Sequence, residues 1–185
     1  ILTADDIMAG KNPADGPVLI YDDDQIYLAG VLAEHLSEAG YNVVFTTPAS
    51  MVSPWTENTL EQAKIQKVLL ERGVALRLGH KLTQVCSESA ELSCIYTGQM
   101  QRQACATVVL VTERHRQSRL YDDLKRHQAA HPDSLRNLSL SGDAAAPGLI
   151  ADAVYSGHLA ARDFEKDAKL IEEDLFRREI ISLKG

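Results

Sequence analysis

Two hydrophobic periods follow one another along this chain. Over residues 17–48, PVLIYDDDQIYLAGVLAEHLSEAGYNVVFTTP, the apolar run Val18, Leu19, Ile20 and Tyr21 is bounded by Gly16-Pro17 and by three consecutive aspartates. A short apolar run between breakers predicts a buried strand. Leu28, Val31, Leu32 and Leu36 then recur at helical spacing until Gly40 stops the pattern, and Val43 to Phe45 opens a second strand. Strand, helix and strand in this order predict a parallel βαβ unit. A further helix is predicted from Leu60 to Arg72, with Asn58 or Thr59 as its cap and Gly73 at its end. Val74 to Leu78 follows as a third parallel strand.

Beyond Leu78 the period shortens. Leu82–Val85, Ala90–Tyr96 and Gln101–Ala106 read as consecutive strands with a turn at Thr97-Gly98, a small antiparallel meander. It feeds Thr107–Thr112, TVVLVT, which suits a buried parallel strand. A helix is predicted near Ser118–Gln128, a last strand over Leu138–Leu140, and a long helix from about Pro147 to Phe164, started by Pro147 or Gly148. Before the first strand stand a short helical turn near Thr3–Ala9 and the breakers Gly10, Pro13 and Gly16. Residues 165–185 are charge-rich and are expected to wrap the surface or a neighbour. The fold class is α/β: a Rossmann-like three-layer domain of the NAD(P)/FAD-binding type, with a parallel central sheet and a small antiparallel β-meander.

An apolar content of 45% and a charged content of 24% are ordinary for a globular protein. The formal net charge of −7 argues against nucleic acid or an anionic membrane as partner. No apolar run approaches the roughly 18–20 residues of a membrane span, and no charged-then-apolar signal peptide is expected at its start. Three cysteines, Cys86, Cys94 and Cys105, share no CxxC spacing, so neither zinc nor a cluster is indicated, and a reduced, cytoplasmic setting is expected. Cys94 and Cys105 fall within strand-like runs, where cysteine behaves as a small hydrophobe. The first residue is Ile1 rather than methionine, and the chain is expected to be a piece of a longer protein.

The chemistry that the βαβ unit would need is missing from its turn. In a dinucleotide-binding turn, glycines let the backbone close on a pyrophosphate at the helix N-terminus. Counted back without gaps from Ala33-Glu34-His35-Leu36, the glycine positions fall on Asp24, Ile26 and Ala29. Thr47 stands where an acid would hold a ribose hydroxyl. Asp22-Asp23-Asp24 could be read as a hard-cation site, but acidic residues there are expected to stay solvated and complement the helix dipole. The six histidines lack ligand spacing, and no G-x-S-x-G motif or Cys/His pairing supports nucleophilic catalysis. Trp55 could stack on a ligand or plug a gap between domains. Gly142-Asp143, placed after a strand and before a helix of small residues (Ala151, Ala153, Gly157, Ala160, Ala161), fits a nucleotide-contacting turn in which Asp143 accepts a ribose or ribityl hydroxyl. Gly-Asp there also serves simply as a cap.

Several phrases together resemble a family. Tyr21-Asp-Asp-Asp, Leu28-Ala-Gly-Val-Leu-Ala-Glu, Phe45-Thr-Thr-Pro, Val52-Ser-Pro-Trp-Thr-Glu-Asn-Thr, Gly142-Asp-Ala-Ala-Ala-Pro-Gly and Leu175-Phe-Arg-Arg-Glu are similar to the C-terminal region of trimethylamine, dimethylamine and histamine dehydrogenases. The resemblance runs essentially the whole chain. It implies residues 1–14 as a leading segment, 15–137 as a small NAD-domain-like unit with a degenerate glycine loop, and 138–185 as the return of an FAD/ADP-type medium domain. It also implies a parent enzyme with an N-terminal barrel carrying FMN and a [4Fe–4S] cluster, an electron-transferring flavoprotein as acceptor, a homo-oligomer, and ADP as the nucleotide near Gly142 and Asp143. The fragment itself is expected to be non-catalytic and not to bind NAD(P)H. Two alternatives stay open: a piece of an NAD(P)H-dependent reductase of the 2,4-dienoyl-CoA or enoate type, and an interaction domain that docks an electron acceptor.

Overall fold

The computed structural model describes residues 1–135, 138–164 and 166. The chain divides into two compact units, the first Ile1–Glu113 and the second beginning at Arg114. In the first unit, β1 (Leu2–Thr3), β2 (Val18–Asp22), β3 (Val43–Thr47), β4 (Ala75–Leu78) and β8 (Thr107–Val111) form a five-stranded sheet in the order β1-β8-β2-β3-β4. Every pairing in it is parallel. The leading residues thus join the sheet, because Leu2 and Thr3 pair with Val109 and Leu110. β5 (His80–Val85), β6 (Ser89–Cys94) and β7 (Met100–Ala104) make a separate three-stranded antiparallel sheet.

The alternation of side chains along the strands sorts the core into two layers. Val18, Ile20, Val43, Phe45, Val109 and Val111 share one cluster with Ala29, Leu32, Ala33 and Leu36 of α2 (Leu28–Glu38), Leu69 of α3 (Gln62–Glu71) and Ile7 of α1 (Ala4–Met8). Leu19, Val44 and Val108 point the other way and pack with Ala90, Leu92 and Cys105 of the meander. Helices, parallel sheet and meander are therefore three layers, as the apolar runs predict. Gly40, at φ +90°, ends α2 while the Tyr41 amide donates to Leu36 O at 3.0 Å. At Gly79, φ +67°, the chain leaves β4 for the meander, its amide donating to Ala49 O at 2.9 Å.

The second unit contains α4 (Arg119–Ala130), a 3-10 turn at Gly142–Ala144 and α5 (Ile150–Asp163). Neither α4 nor α5 has a buried residue among those described. Leu138–Leu140, expected as a strand, is not one. A strand exists through its ladder, and no ladder involves these residues in the sheets described. Three smaller expectations also shift. α3 starts from Glu61 with no side-chain cap, the Thr59 hydroxyl donating to the Glu61 carboxylate at 2.6 Å instead. α5 begins at Ile150, after Pro147 and Gly148. Cys105 lies just past β7, although it is buried as expected. No helix of the described residues is long and apolar enough to cross a membrane.

Candidate functional site

In an open parallel sheet, ligands collect beyond the carboxyl ends of the strands, where the chain order reverses. Here that place lies between β2 and β8, because the chain leaves β2 toward β3 on one side and β8 flanks it on the other. The turn from β2 to α2 fills it. The Asp23 and Asp24 amides both donate to the carbonyl oxygen of Val111, at 2.8 and 3.2 Å, so the turn is tied to the end of β8. Asp22 is 1% exposed, and its Oδ1 accepts the Gln25 amide at 2.8 Å. That bond holds Gln25 at φ +59°, a left-handed conformation uncommon for a residue with a side chain. The Gln25 carbonyl in turn accepts the Trp55 amide at 3.2 Å.

Of the acidic run only Asp23 is exposed as expected; Asp22 is buried, Asp24 is half-buried, and the run does not complement a helix dipole. α2 starts only after Tyr27 and has no acidic residue in its first turn. Asp22 Oδ2 and Asp24 Oδ2 are buried without a hydrogen-bond partner. Burial pushes the Asp22 carboxyl up to about 7, the charges of Asp24 and Asp23 add to the rise, and the Gln25 amide opposes it. No group of three or more metal-ligating side chains with suitable geometry occurs among the described residues.

Of the residues predicted at glycine positions, Ala29 is buried in the helix layer, and Asp24 and Ile26 are half-buried in the turn. The close-packed glycine is instead Gly30: a Cβ there would meet Ile65 Cγ2 at 3.0 Å and Ser53 Oγ at 3.1 Å. Thr47 keeps its hydroxyl for its own corner, accepting the Ala49 amide at 3.2 Å.

Residues 52–59 form a clasp beside this turn. Val52 and Ser53 are fully buried, Ser53 at φ +47°, and the Thr56 hydroxyl donates to Ser53 O at 2.7 Å. Asn58 Nδ2 donates to Trp55 O at 2.9 Å, while Gln62 Nε2 of α3 donates to Val52 O at 3.1 Å. Within this phrase the Thr56, Asn58 and Thr59 side chains each donate to the carbonyl three residues back, whereas Ser53 Oγ is buried without a partner. Trp55 is left 38% exposed.

The second candidate, Gly142-Asp143, lies in the second unit. Gly142 has φ +59° and donates its amide to Ser156 Oγ of α5 at 2.8 Å. Asp143 is exposed and makes one long contact, accepting the Gly148 amide at 3.4 Å. The Leu149 amide at the start of α5 is taken by Asp152 Oδ2 at 2.9 Å, so a carboxylate already sits at that helix end. Sequence reasoning passed over Asp152, although an acid three residues into a helix is the usual sign of such a back-bond.

Comparison with known proteins follows the same outline. Residues 2–122 match the family described as OYE-like second alpha/beta domain. Dimethylamine dehydrogenase of Hyphomicrobium sp. (strain x) is 31% identical over 199 residues, covering 97% of this chain and 27% of its own. The structure of histamine dehydrogenase from Rhizobium sp. 4-9 superposes with a TM-score of 0.87 at 39% identity, covering 100% of this chain and 29% of that one. The 6-hydroxypseudooxynicotine amine oxidase of Pseudomonas geniculata N1 gives 0.79 at 34% identity, over 89% and 24%. The chain thus spans less than a third of the length of these relatives.

Proposed function

The chain belongs to the family of OYE-like second alpha/beta domains and is homologous to dimethylamine and histamine dehydrogenases, and from that premise we propose that it is the nucleotide-domain-like part of an amine-oxidising flavoenzyme, itself non-catalytic and without a dinucleotide. One observation carries the proposal: the two turn amides that would face a pyrophosphate, those of Asp23 and Asp24, are both bonded to Val111 O. A diphosphate arriving there would meet a carbonyl oxygen and a run of carboxylates, each repelling it.

The parent would carry FMN and a [4Fe–4S] cluster on its barrel and pass electrons to an electron-transferring flavoprotein, within a homo-oligomer. This chain's own residues do not fit the cluster: Cys94 lies on β6, Cys105 is buried beyond β7, and no cysteine belongs to a ligand set among the described residues. Its fit to ADP is partial. Asp143 presents an exposed carboxylate suited to a ribose hydroxyl, but Asp152 occupies the helix end where a diphosphate would lie. Gly142 and Asp143 are accordingly proposed for the ribose side alone.

Calorimetric titration of the chain with NADH tests the central point. No heat of binding is expected up to millimolar cofactor; binding in the micromolar range would overturn it, and would favour a reductase that takes hydride from a nicotinamide.

A further inference from the structure

We infer that the β2–α2 turn is a proton-operated latch, closed on β8 while the Asp22 carboxyl is neutral and opened when it ionises. The inference concerns the same turn as the proposed function but needs no nucleotide, so it stands or falls independently of NADH binding.

The geometry assembles the parts of such a device. Asp22 is 1% exposed, one oxygen holds the Gln25 amide at 2.8 Å, and the other is buried without a partner. A neutral acid can sit there at modest cost, whereas a carboxylate with an unpartnered, dehydrated oxygen cannot. The ionisable groups acting on Asp22 are Asp24 and Asp23 of its own turn, and its charge acts in turn on the Tyr21 phenol. All three are acidic groups, so none of them offsets a negative charge on Asp22. β8 contributes the apolar Val111 beside Asp22, and the facing end of β3 contributes Thr46 and Thr47, none of them ionisable. No basic side chain compensates the site among the described residues. When Asp22 ionises, hydration of the carboxylate competes directly with the bonds that hold Asp23 and Asp24 on Val111 and with the left-handed Gln25. Those bonds sit beyond the carboxyl ends of β2 and β8, outside the strand ladders, where opening disturbs little of the core.

The chain carries its own reporter. Trp55 is its single tryptophan, and the Trp55 amide is bonded to the Gln25 carbonyl of the turn. Acrylamide quenching of Trp55 fluorescence, followed from pH 5.5 to 8.5 in the whole 185-residue chain, reads the latch directly. Quenching is expected to rise severalfold with a midpoint near the Asp22 value of about 7. The variant Asp22→Asn keeps all six histidines and should lose the transition. A flat wild-type profile, or an unchanged transition in Asp22→Asn, overturns the latch. Should that variant not fold, the wild-type carboxyl carbon of Asp22 is read by NMR together with amide exchange at Asp23, Asp24 and Gln25. Titration near neutrality with faster exchange at all three supports the latch; an Asp22 that ionises below pH 5, or exchange that ignores its titration, overturns it.

Discussion

Asp22 and Asp6 carry the same side chain to opposite sides of the ordinary carboxylate value of 3.8. Asp6 is a half-buried member of a capping box: it pairs with Lys11 at 2.6 Å and accepts the Thr3 amide at 2.9 Å, which hold its carboxyl down at about 2. Its contribution is present above the ordinary value of 3.8 and is lost as pH falls through about 2. Asp22 is raised from 3.8 to about 7, so between those values the folded chain binds more protons than the unfolded one. Its stabilising effect is complete below about 4 and is lost as pH rises through about 7. Urea unfolding at successive pH values should therefore show stability falling toward neutrality, at up to about 1.4 kcal/mol per pH unit. Asp22→Asn should flatten that slope and be relatively more stable than wild type at pH 8; equal slopes would count against a neutral buried Asp22. The residue types in this turn were legible in the sequence, and so was the absence of its glycines. What could not be read was which of three adjacent aspartates is buried, since that depends on where β2 ends and on how Val111 approaches the turn from a strand far along the chain.

At the scale of elements, apolar period was the reliable guide where a run is sandwiched. β2, β3 and β8 are buried on both faces, and their continuous apolar runs marked β2 and β8 within a residue and β3 within two. The meander was legible as three short runs, but its role is visible only in the packing: Ala90 and Leu92 of β6 cover Leu19, Val44 and Val108 of the parallel sheet. Leu92 is fully buried there, so Leu92→Ala should cost about 2–5 kcal/mol in urea unfolding of the chain. Val31 of α2 is 48% exposed despite falling on the predicted apolar face, and Val31→Ala should stay within about 0.5 kcal/mol. A comparable loss at both positions would mean that the meander is not a core layer. Leu138–Leu140 shows the opposite case, a run whose composition suits a strand but which has no partner to ladder with among the described sheets. Strand propensity records fitness for a sheet, not the presence of one.

At the scale of the molecule, the buried apolar side chains among the described residues run from Ala4 to Val111, within the first unit. The first unit closes both faces of its sheet with its own elements, α1 to α3 on one side and the meander on the other. The second presents Ile150, Val154 and Tyr155 of α5 at 86, 55 and 66% exposure, so its longest helix is not covered by the described residues of this chain. A helix that buries no apolar face draws little stability from packing, and its own propensity is marginal at this length. Residues 1–113 produced alone should therefore fold, giving a cooperative melt and native-like circular dichroism. Residues 114–185 alone should show no cooperative transition. If the second piece melted cooperatively, or if 1–113 required it, the stability of this chain would not reside in the three-layer unit, and the closed turn at Asp22 would have to be reconsidered as a product of the whole rather than of the sheet that carries it.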